Sequence, residues 1–324
     1  MKKIHILATG GTISARGPAG RTAGYQDGAF RIEQLLEGVE GAAALARITG
    51  EQIFTLSSED MTGAHWLTLA RRINQLAEEG EADGFVITHG TNTLEETAYF
   101  LHLTVKTDRP VVLTGSMRPA TANSADGAQN LYEAIAVAAS GEARGKGVLV
   151  VFSDGIYGAR GVQKVSCFRP DAFNSRDFGC LGYVQDDLPV FFQTPAEDHT
   201  LRTPFQTEGL QTLPPVEIAY FYADADPCVV PLLAGRARGL VIAGAGSGQM
   251  SGPWKEAVRE AARRIPVVRC SRTGSGLVGR ESRDAEAGTL WGMTLPPVKA
   301  RILLSLGLTV TDSREALQEF FQTY

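Results

Sequence analysis

The chain has 324 residues, of which 44% are hydrophobic and 21% are charged, a composition typical of a soluble globular protein long enough for two domains. This composition excludes intrinsic disorder and a collagen-like fibre. The formal net charge of −5 provides no positive field that would attract nucleic acid or anionic lipid. The longest run without Asp, Glu, Lys or Arg, Gly239 to Trp254, contains five glycines and is too short to span a bilayer. We therefore expect neither nucleic acid nor a membrane as a partner.

The beginning of the chain and its cysteines indicate the compartment. After Met1-Lys2-Lys3 the apolar stretch covers only Ile4 to Ala8, which is much shorter than the apolar core of a signal peptide. The cysteines are far apart and show no C-x-x-C spacing, so the sequence predicts neither a disulfide framework nor a zinc site; they are Cys167, Cys180, Cys228 and Cys270. We expect a cytoplasmic protein with free thiols.

Buried strands alternate with helices in the first part of the chain. Short, continuous apolar runs that are rich in β-branched residues predict parallel strands at Ile4–Ala8, Phe85–Thr88, Val111–Thr114 and Val148–Phe152. Helical periodicity predicts helices at Trp66–Glu79, Leu94–Leu103 and Asp126–Ala139. The second of these helices is preceded by Thr93-Leu94-Glu95-Glu96, which has the pattern of a capping box. The fold class predicted is α/β, with an N-terminal domain over 1–190 built on a mainly parallel sheet flanked by helices.

A change of composition predicts a domain boundary. Residues 191–215 contain four prolines and few periodic apolar positions, so we interpret them as a linker. The alternation then resumes over 216–324, which predicts a smaller C-terminal α/β domain. Its predicted strands lie at Val216–Tyr222, Leu240–Ala243 and Val267–Cys270, and its predicted helices at Pro253–Arg264, Val298–Ser305 and Ser313–Tyr324.

Two loops that follow predicted strands contain residues suited to chemistry. Thr9-Gly10-Gly11-Thr12-Ile13 follows the first strand, and His89-Gly90-Thr91-Asn92-Thr93 follows the second. Ligands of open parallel sheets bind beyond the carboxyl ends of the strands, and glycine lets the backbone approach a ligand closely. The alternative is that Gly-Thr turns only connect strands to helices. The presence of both loops favours a functional site.

A threonine nucleophile needs a base, and Lys164 is the candidate because it lies beyond the strand that ends near Phe152. The alternative is a solvated surface lysine.

Nucleotide binding is disfavoured, because the glycine-rich segment Gly274 to Gly279 is followed by a charged stretch without an apolar helical face. The histidines show no H-x-x-x-H spacing and no serine stands in G-x-S-x-G. We expect no metal and no cofactor.

Taken together, six segments resemble those of bacterial-type L-asparaginases. Two are Ala8-Thr9-Gly10-Gly11-Thr12-Ile13 and Thr88-His89-Gly90-Thr91-Asn92-Thr93. The others, in the order and at the spacing of the family, are Ser57-Ser58-Glu59-Asp60-Met61, Gly115-Ser116-Met117-Arg118-Pro119, Ser124-Ala125-Asp126-Gly127 and Pro297-Val298-Lys299-Ala300-Arg301. The resemblance extends across nearly the whole chain.

The resemblance implies a mechanism and a set of site residues. Thr12 would attack the side-chain amide of L-asparagine and form an acyl-enzyme, which water then hydrolyses to aspartate. Tyr25, on the glycine-rich stretch Ser14 to Phe30, would activate or orient that threonine. Thr91, Lys164 and Asn92 correspond to a second group that polarises the substrate or activates a nucleophile or water. Ser58 and Glu59 would bind the α-carboxylate and the α-ammonium, and Gly11 and Gly90 would line the same site.

The resemblance also implies an assembly. Family members are commonly homotetramers built from close dimers, in which a neighbouring subunit completes each site. The donated residues here would be Gln249 and Glu281, with Glu281 facing the substrate ammonium. Without the resemblance, Glu281 would be interpreted as one exposed acid in a charged loop. We therefore expect a homotetramer or a homodimer.

One residue differs from the family pattern, since Asn92 stands where the family has an aspartate. We expect this amide to reduce activity. The predicted function is hydrolysis of L-asparagine, with some hydrolysis of L-glutamine because glutaminase-active members tend to have Glu at the position of Glu59. Two alternatives remain: a catalytically impaired protein that binds a small molecule such as an amino acid, and an amidase for a different amide.

Overall fold

The computed structural model describes residues 1–24 and 30–324, and the predicted site residue Tyr25 lies outside these ranges. The described chain divides into two compact units, Met1–Thr203 and Pro204–Tyr324. Each unit is built on a sheet with helices packed against it, and the first sheet is the larger. The predicted fold class is confirmed.

The first unit contains ten strands and five α-helices among its described residues. The strands are β1 Lys3–Gly10, β2 Arg47–Leu56, β3 Gly84–Thr88, β4 Val111–Thr114, β5 Val148–Phe152, β6 Gly155–Gly158, β7 Gln163–Lys164, β8 Phe173–Asn174, β9 Gly182–Gln185 and β10 Leu188–Phe191. The helices are α1 Ile32–Glu37, α2 Ala42–Leu45, α3 Gly63–Glu78, α4 Leu94–Thr104 and α5 Gly127–Ala139. Short 3-10 helices occur at Thr12–Ser14, Ser58–Asp60, Gly141–Ala143 and Thr200–Arg202.

Eight of these strands form one sheet in the order β10-β9-β6-β5-β4-β3-β1-β2. Strands β5, β4, β3, β1 and β2 are parallel, whereas β6, β9 and β10 extend the sheet in antiparallel pairs. All residues of β3, β4 and β5 are buried. Burial on both faces explains why these strands are continuous apolar runs rather than alternating ones.

Helices cover the two faces of this sheet. On one face α5 packs Leu131, Ala134 and Ile135 against alternate strand residues such as Ile6 and Val86. The intervening strand positions point to the opposite face, where α4 contacts β4 and β5. The carboxyl ends of the parallel strands remain available for loops.

Most predicted elements of this unit are present within a few residues of the predicted bounds, but the predicted capping box is wrong. Thr93 provides no side-chain cap for α4, because its hydroxyl donates a hydrogen bond to the Ser58 carbonyl at 2.6 Å. Strand β2 was missed because its residues are only partly buried and give no continuous apolar run. The antiparallel strands between 155 and 191 are short and were missed as well.

The boundary between the two units, at Thr203 and Pro204, falls inside the predicted linker 191–215. The first half of this segment is held by the first unit, since the Lys106 ammonium donates hydrogen bonds to the Thr200 carbonyl at 3.0 Å and the Thr203 hydroxyl at 2.7 Å. The domain limits 1–190 and 216–324 stay a prediction.

The second unit contains a four-stranded parallel sheet in the order β11-β12-β13-β14. Its strands are β11 Val216–Tyr220, β12 Gly239–Gly244, β13 Val267–Ser271 and β14 Leu290–Trp291. Its helices are α6 Val229–Ala234, α7 Gly252–Ala262, α8 Ser282–Ala287, α9 Pro297–Gly307 and α10 Arg314–Thr323. Buried Trp254 of α7 and Ile242 of β12 belong to the core of this unit.

Within the described ranges no helix is both long and apolar enough to cross a membrane. All four cysteines are free, as predicted.

Candidate active site

Three loops meet where adjacent parallel strands end. Strand β1 lies between β2 and β3, with Gly10 paired to Leu56 and Ala8 paired to Thr88. Because parallel strands end at the same edge, the segments that follow them are neighbours. These segments are the 3-10 helix Thr12–Ser14, the 3-10 helix Ser58–Asp60 and the loop 89–93.

Glycine permits the close approach of these loops. Gly11 has a φ of 81°, and a Cβ atom there would lie 2.3 Å from the Gly90 Cα. A Cβ atom on Gly90 would lie 2.8 Å from the Ser58 Cβ. Side chains at either position would therefore push the three loops apart.

The loops enclose a cavity of about 310 Å³ whose lining is mostly polar. Eight predicted site residues line it: Gly11, Thr12, Ser58, Glu59, Gly90, Thr91, Asn92 and Lys164. Three further lining residues, Ser57, Met117 and Cys167, were not predicted as site residues. Ser57 and Met117 lie in two of the segments that resemble the family, whereas no sequence pattern around Cys167 indicates a site residue.

Lys164 reaches the cavity from β7 and contacts the loop after β3. Its ammonium donates hydrogen bonds to the Thr91 hydroxyl and the Asn92 side-chain carbonyl, each at 2.8 Å. Its backbone N–H donates to the Glu95 carboxylate at 2.5 Å, which fixes the strand against α4. Burial lowers the pKa of the Lys164 ammonium below its usual range. Lys164 is therefore a better base than a solvated lysine and adjoins a threonine hydroxyl.

Asn92 connects Lys164 to Glu59. Its side-chain N–H donates a hydrogen bond to the Glu59 carboxylate at 3.1 Å while its side-chain oxygen accepts from Lys164. Its backbone N–H donates to the Ser58 hydroxyl at 3.1 Å. The nitrogen of the Asn92 amide therefore donates to the Glu59 carboxylate, and its oxygen accepts from the Lys164 ammonium. Both ends of the amide are hydrogen-bonded at the same time.

Thr12 is buried on the 3-10 helix directly after Gly11. The turn is closed by Ser14, whose hydroxyl donates to the Gly11 carbonyl at 2.8 Å. The Ser14 carbonyl accepts from the Phe30 N–H at 3.0 Å. Thr12, which lines the cavity, is therefore held on a hydrogen-bonded turn.

A buried hydrogen-bond chain behind the site was not predicted. The Trp66 indole donates to the Thr97 hydroxyl at 2.9 Å, and Thr97 is 2.9 Å from His89 Nε2. His89 Nδ1 lies 2.7 Å from the Gly90 carbonyl, an acceptor only, so Nδ1 has the proton and Nε2 accepts from Thr97. Complete burial lowers the pKa of His89 to about 4. A neutral His89 thus holds the loop that contains Thr91.

The second unit contains the other two predicted site residues. Gln249 lies in a tight turn after β12, where its backbone exchanges hydrogen bonds of 2.8 and 2.6 Å with Ala245. Glu281 is the N-cap residue of α8. Buried Arg269 of β13 contacts both segments, since its guanidinium donates to the Ser247 carbonyl at 2.7 Å and lies 3.3 Å from the Glu281 carboxylate. Sequence reasoning missed Arg269 because nothing in a five-residue buried strand indicates the partners of its charge.

No cluster of three or more His, Cys, Asp or Glu residues within the described ranges is arranged to hold a metal ion. The charged and polar groups of the cavity are instead an amine, hydroxyls, an amide and a carboxylate. Such a set can bind a zwitterionic small molecule and supply nucleophilic and acid–base chemistry.

Comparison with known proteins agrees with this architecture. A family model described as "Asparaginase, N-terminal" matches residues 3–197, and one described as "Glutaminase/Asparaginase C-terminal domain" matches residues 215–321. The chain is 43% identical to "Probable L-asparaginase periplasmic" of Haemophilus influenzae, covering 100% of this chain and 93% of that protein. It is 42% identical to "Glutaminase-asparaginase" of Pseudomonas fluorescens biotype A, covering 100% of this chain and 91% of that protein.

A solved structure is also similar. The "Probable Cytoplasmic L-asparaginase from Campylobacter jejuni" has a TM-score of 0.97 to this chain at 42% identity, covering 100% of both chains. The fold and these matches define a hydrolase with two α/β units. The chain belongs to the asparaginase family, over both its N-terminal and its C-terminal parts.

Proposed function

We propose that this chain hydrolyses the side-chain amide of L-asparagine to L-aspartate and ammonia through a threonine acyl-enzyme. The observation that supports this most strongly is the convergence of eight family-like site residues in one polar cavity. Within it the Lys164 ammonium lies 2.8 Å from the Thr91 hydroxyl. Relatives over the full length of the chain are named L-asparaginases.

Thr12 is the proposed nucleophile. Its oxygen attacks the carbonyl carbon of the side-chain amide, and collapse of the tetrahedral intermediate breaks the C–N bond. The threonine proton leaves with the amine as ammonia, and water then attacks the ester and regenerates the hydroxyl. Tyr25 is proposed to orient or activate Thr12, and the Thr91–Lys164 pair to polarise the substrate or activate the nucleophile or the water.

Glu59 and Ser58 are proposed to bind the α-ammonium and the α-carboxylate of the substrate. Glu59 already accepts a hydrogen bond from Asn92, so both side chains adjoin the proposed ammonium position. Backbone groups of Gly11 and Gly90 would complete the site, because both glycines line the cavity and leave room for a ligand.

L-Glutamine is proposed as a second substrate. Relatives from two Pseudomonas species and Acinetobacter are named glutaminase-asparaginases. One extra methylene in a mostly polar cavity is worth only about 1–3 kcal/mol of discrimination. We therefore expect slower turnover of glutamine rather than exclusion.

We also propose that the protein acts as a homotetramer or homodimer, in which Gln249 and Glu281 are donated to a neighbouring subunit's site. Light scattering measures this, and a fully active monomer would contradict the donation. The cytoplasmic location stays a prediction, since relatives are named both periplasmic and cytoplasmic.

The test is ammonia release from L-asparagine, L-glutamine and succinamic acid, which is the asparagine skeleton without the α-ammonium. Thr12→Ala should lower kcat for asparagine by roughly a thousandfold or more at an unchanged melting temperature. Thr68→Ala, the same change at an exposed position on α3, should leave activity unchanged. Substantial activity in folded Thr12→Ala would show that another residue is the nucleophile. A wild-type protein that releases no ammonia would instead favour a small-molecule binding protein.

A further inference from the structure

One buried cation joins the two segments of the second unit that carry Gln249 and Glu281. Arg269 on β13 is 2% exposed and is among the largest fully buried side chains of the described chain. We propose that Arg269 is a positioning residue that holds Gln249 and Glu281 in one preformed arrangement for the substrate. The inference rests on the proposed function, in which those two side chains complete a substrate site.

The first segment held by Arg269 is the turn after β12. The Arg269 Nη1 donates to the Ser247 carbonyl at 2.7 Å. Gly248 has a φ of 82°, and a Cβ atom there would lie 2.8 Å from the Arg269 Cγ, so the turn lies directly on the arginine stem. Reciprocal backbone hydrogen bonds between Ala245 and Gln249 close the turn. The backbone of Gln249 is therefore fixed relative to the guanidinium.

The second segment is the start of α8. The guanidinium makes a two-point contact with the Asp284 carboxylate, through Nε at 2.9 Å and Nη2 at 2.7 Å. Nη2 also donates to the Gly279 carbonyl at 2.8 Å. Asp284 in turn accepts from the Glu281 backbone N–H at 2.7 Å, and the Glu281 carboxylate lies 3.3 Å from Arg269 Nη1. Glu281 is thus fixed through its backbone and its side chain.

Arginine is the side chain that can do this. Its planar guanidinium presents five N–H donors in fixed directions, whereas lysine presents one nitrogen. Burial raises the pKa of Asp284, but the hydrogen bonds from Arg269, the Glu281 backbone N–H and Thr289, together with the charge of Arg269, outweigh burial and hold that pKa below its usual range. The Arg269–Asp284 ion pair is therefore charged at neutral pH. The guanidinium also has N–H groups that contact the turn after β12 and the segment that leads into α8.

A purely structural role for the Arg269–Asp284 pair predicts a different result from a positioning role. Loosening the fold would affect all substrates alike. Loosening Glu281 would affect only those with an α-ammonium, since that is the group it is proposed to face. Comparing L-asparagine with succinamic acid separates the two.

The experiment measures kcat and KM for both substrates in the full-length protein. Arg269→Lys keeps the charge beside Asp284 but loses the multiple contacts, and should raise KM for asparagine about tenfold while changing KM for succinamic acid less than twofold. Asp284→Asn, a second and nearly isosteric variant, should show the same selectivity. Arg263→Lys, the same change at an exposed arginine of the second unit, should behave as wild type.

A double variant provides a second measurement that distinguishes a positioning role of Arg269 from a purely structural one. Glu281→Gln alone should lose asparagine affinity, and adding Arg269→Lys to it should cost little more, because Arg269 acts through Glu281. Equal losses for both substrates, additive losses in the double variant, or failure of both Arg269→Lys and Asp284→Asn to fold would overturn the positioning role. Wild type without amidase activity would instead overturn the proposed function.

Discussion

Asn92→Asp tests the electrostatics of the site most directly. In the structure the Asn92 side-chain N–H donates to Glu59 at 3.1 Å, so this donor occupies the carboxylate that is proposed to bind the substrate ammonium. An aspartate would remove that donor and place a second carboxylate beside Glu59. The substrate ammonium would then neutralise two carboxylates instead of displacing an amide.

The magnitude follows from the geometry. Two unit charges at the 3.1 Å between Asn92 Nδ2 and Glu59 Oε2 repel by about 1–5 kcal/mol, depending on the effective dielectric constant. Both side chains are exposed, so the lower end applies. Binding an ammonium relieves this repulsion, and a charge-assisted hydrogen bond adds about 1 kcal/mol over a neutral one. Against this, a carboxylate favours the ammonium form of Lys164 and makes it a weaker base.

We expect the gain in binding of the substrate ammonium to exceed the loss of basicity at Lys164. The kcat/KM of Asn92→Asp for L-asparagine should therefore rise roughly tenfold or more, about 1.4 kcal/mol. Steady-state ammonia release measures it, with succinamic acid as the substrate that should show no gain. The double variant Glu59→Gln with Asn92→Asp has no carboxylate repulsion to relieve and should gain less. Asn123→Asp, at an exposed loop position outside the cavity lining, is the matched control. Equal or lower activity toward asparagine, or an equal gain with both substrates, would refute the reasoning.

Three further outcomes are expected. Gly11→Ala should destabilise the first unit and abolish activity, because its Cβ would lie 2.3 Å from the Gly90 Cα; wild-type melting and turnover would show that the loops can separate. Lys164→Met should lower kcat by roughly a hundredfold or more without loss of folding, through loss of the proposed base beside Thr91; ammonia release decides this. His89 is neutral in the native state, so its contribution to stability is complete above pH 6.5 and is lost as the pH falls toward its native pKa of about 4. The stability difference between wild type and His89→Gln should therefore shrink by about 2.5 kcal/mol between pH 7 and pH 4.5 in denaturant titrations, and a constant difference would contradict a neutral His89.

The sequence alone determined the α/β class and the strands β3, β4 and β5, because strands buried on both faces must be continuous apolar runs. It also located the two glycine-rich loops, since glycine is required locally where backbones approach closely. Those loops meet because β1 lies between β2 and β3 in the sheet. The place of β2 is set by its pairing with β1, which the sequence does not show. A partly buried strand of mixed composition has no signal of its own.

Only the tertiary structure decided the contacts that give these residues their chemistry. Lys164 and Thr91 are 73 positions apart in the chain, and Asn92 and Glu59 are 33 apart, so neither hydrogen bond follows from local pattern. The same is true of Arg269, whose buried charge is satisfied by segments on both sides of it in the sequence. Residue type and spacing indicate which groups are available, whereas pKa and hydrogen-bond partners depend on burial and on distances between remote segments, which exist only after the chain has folded.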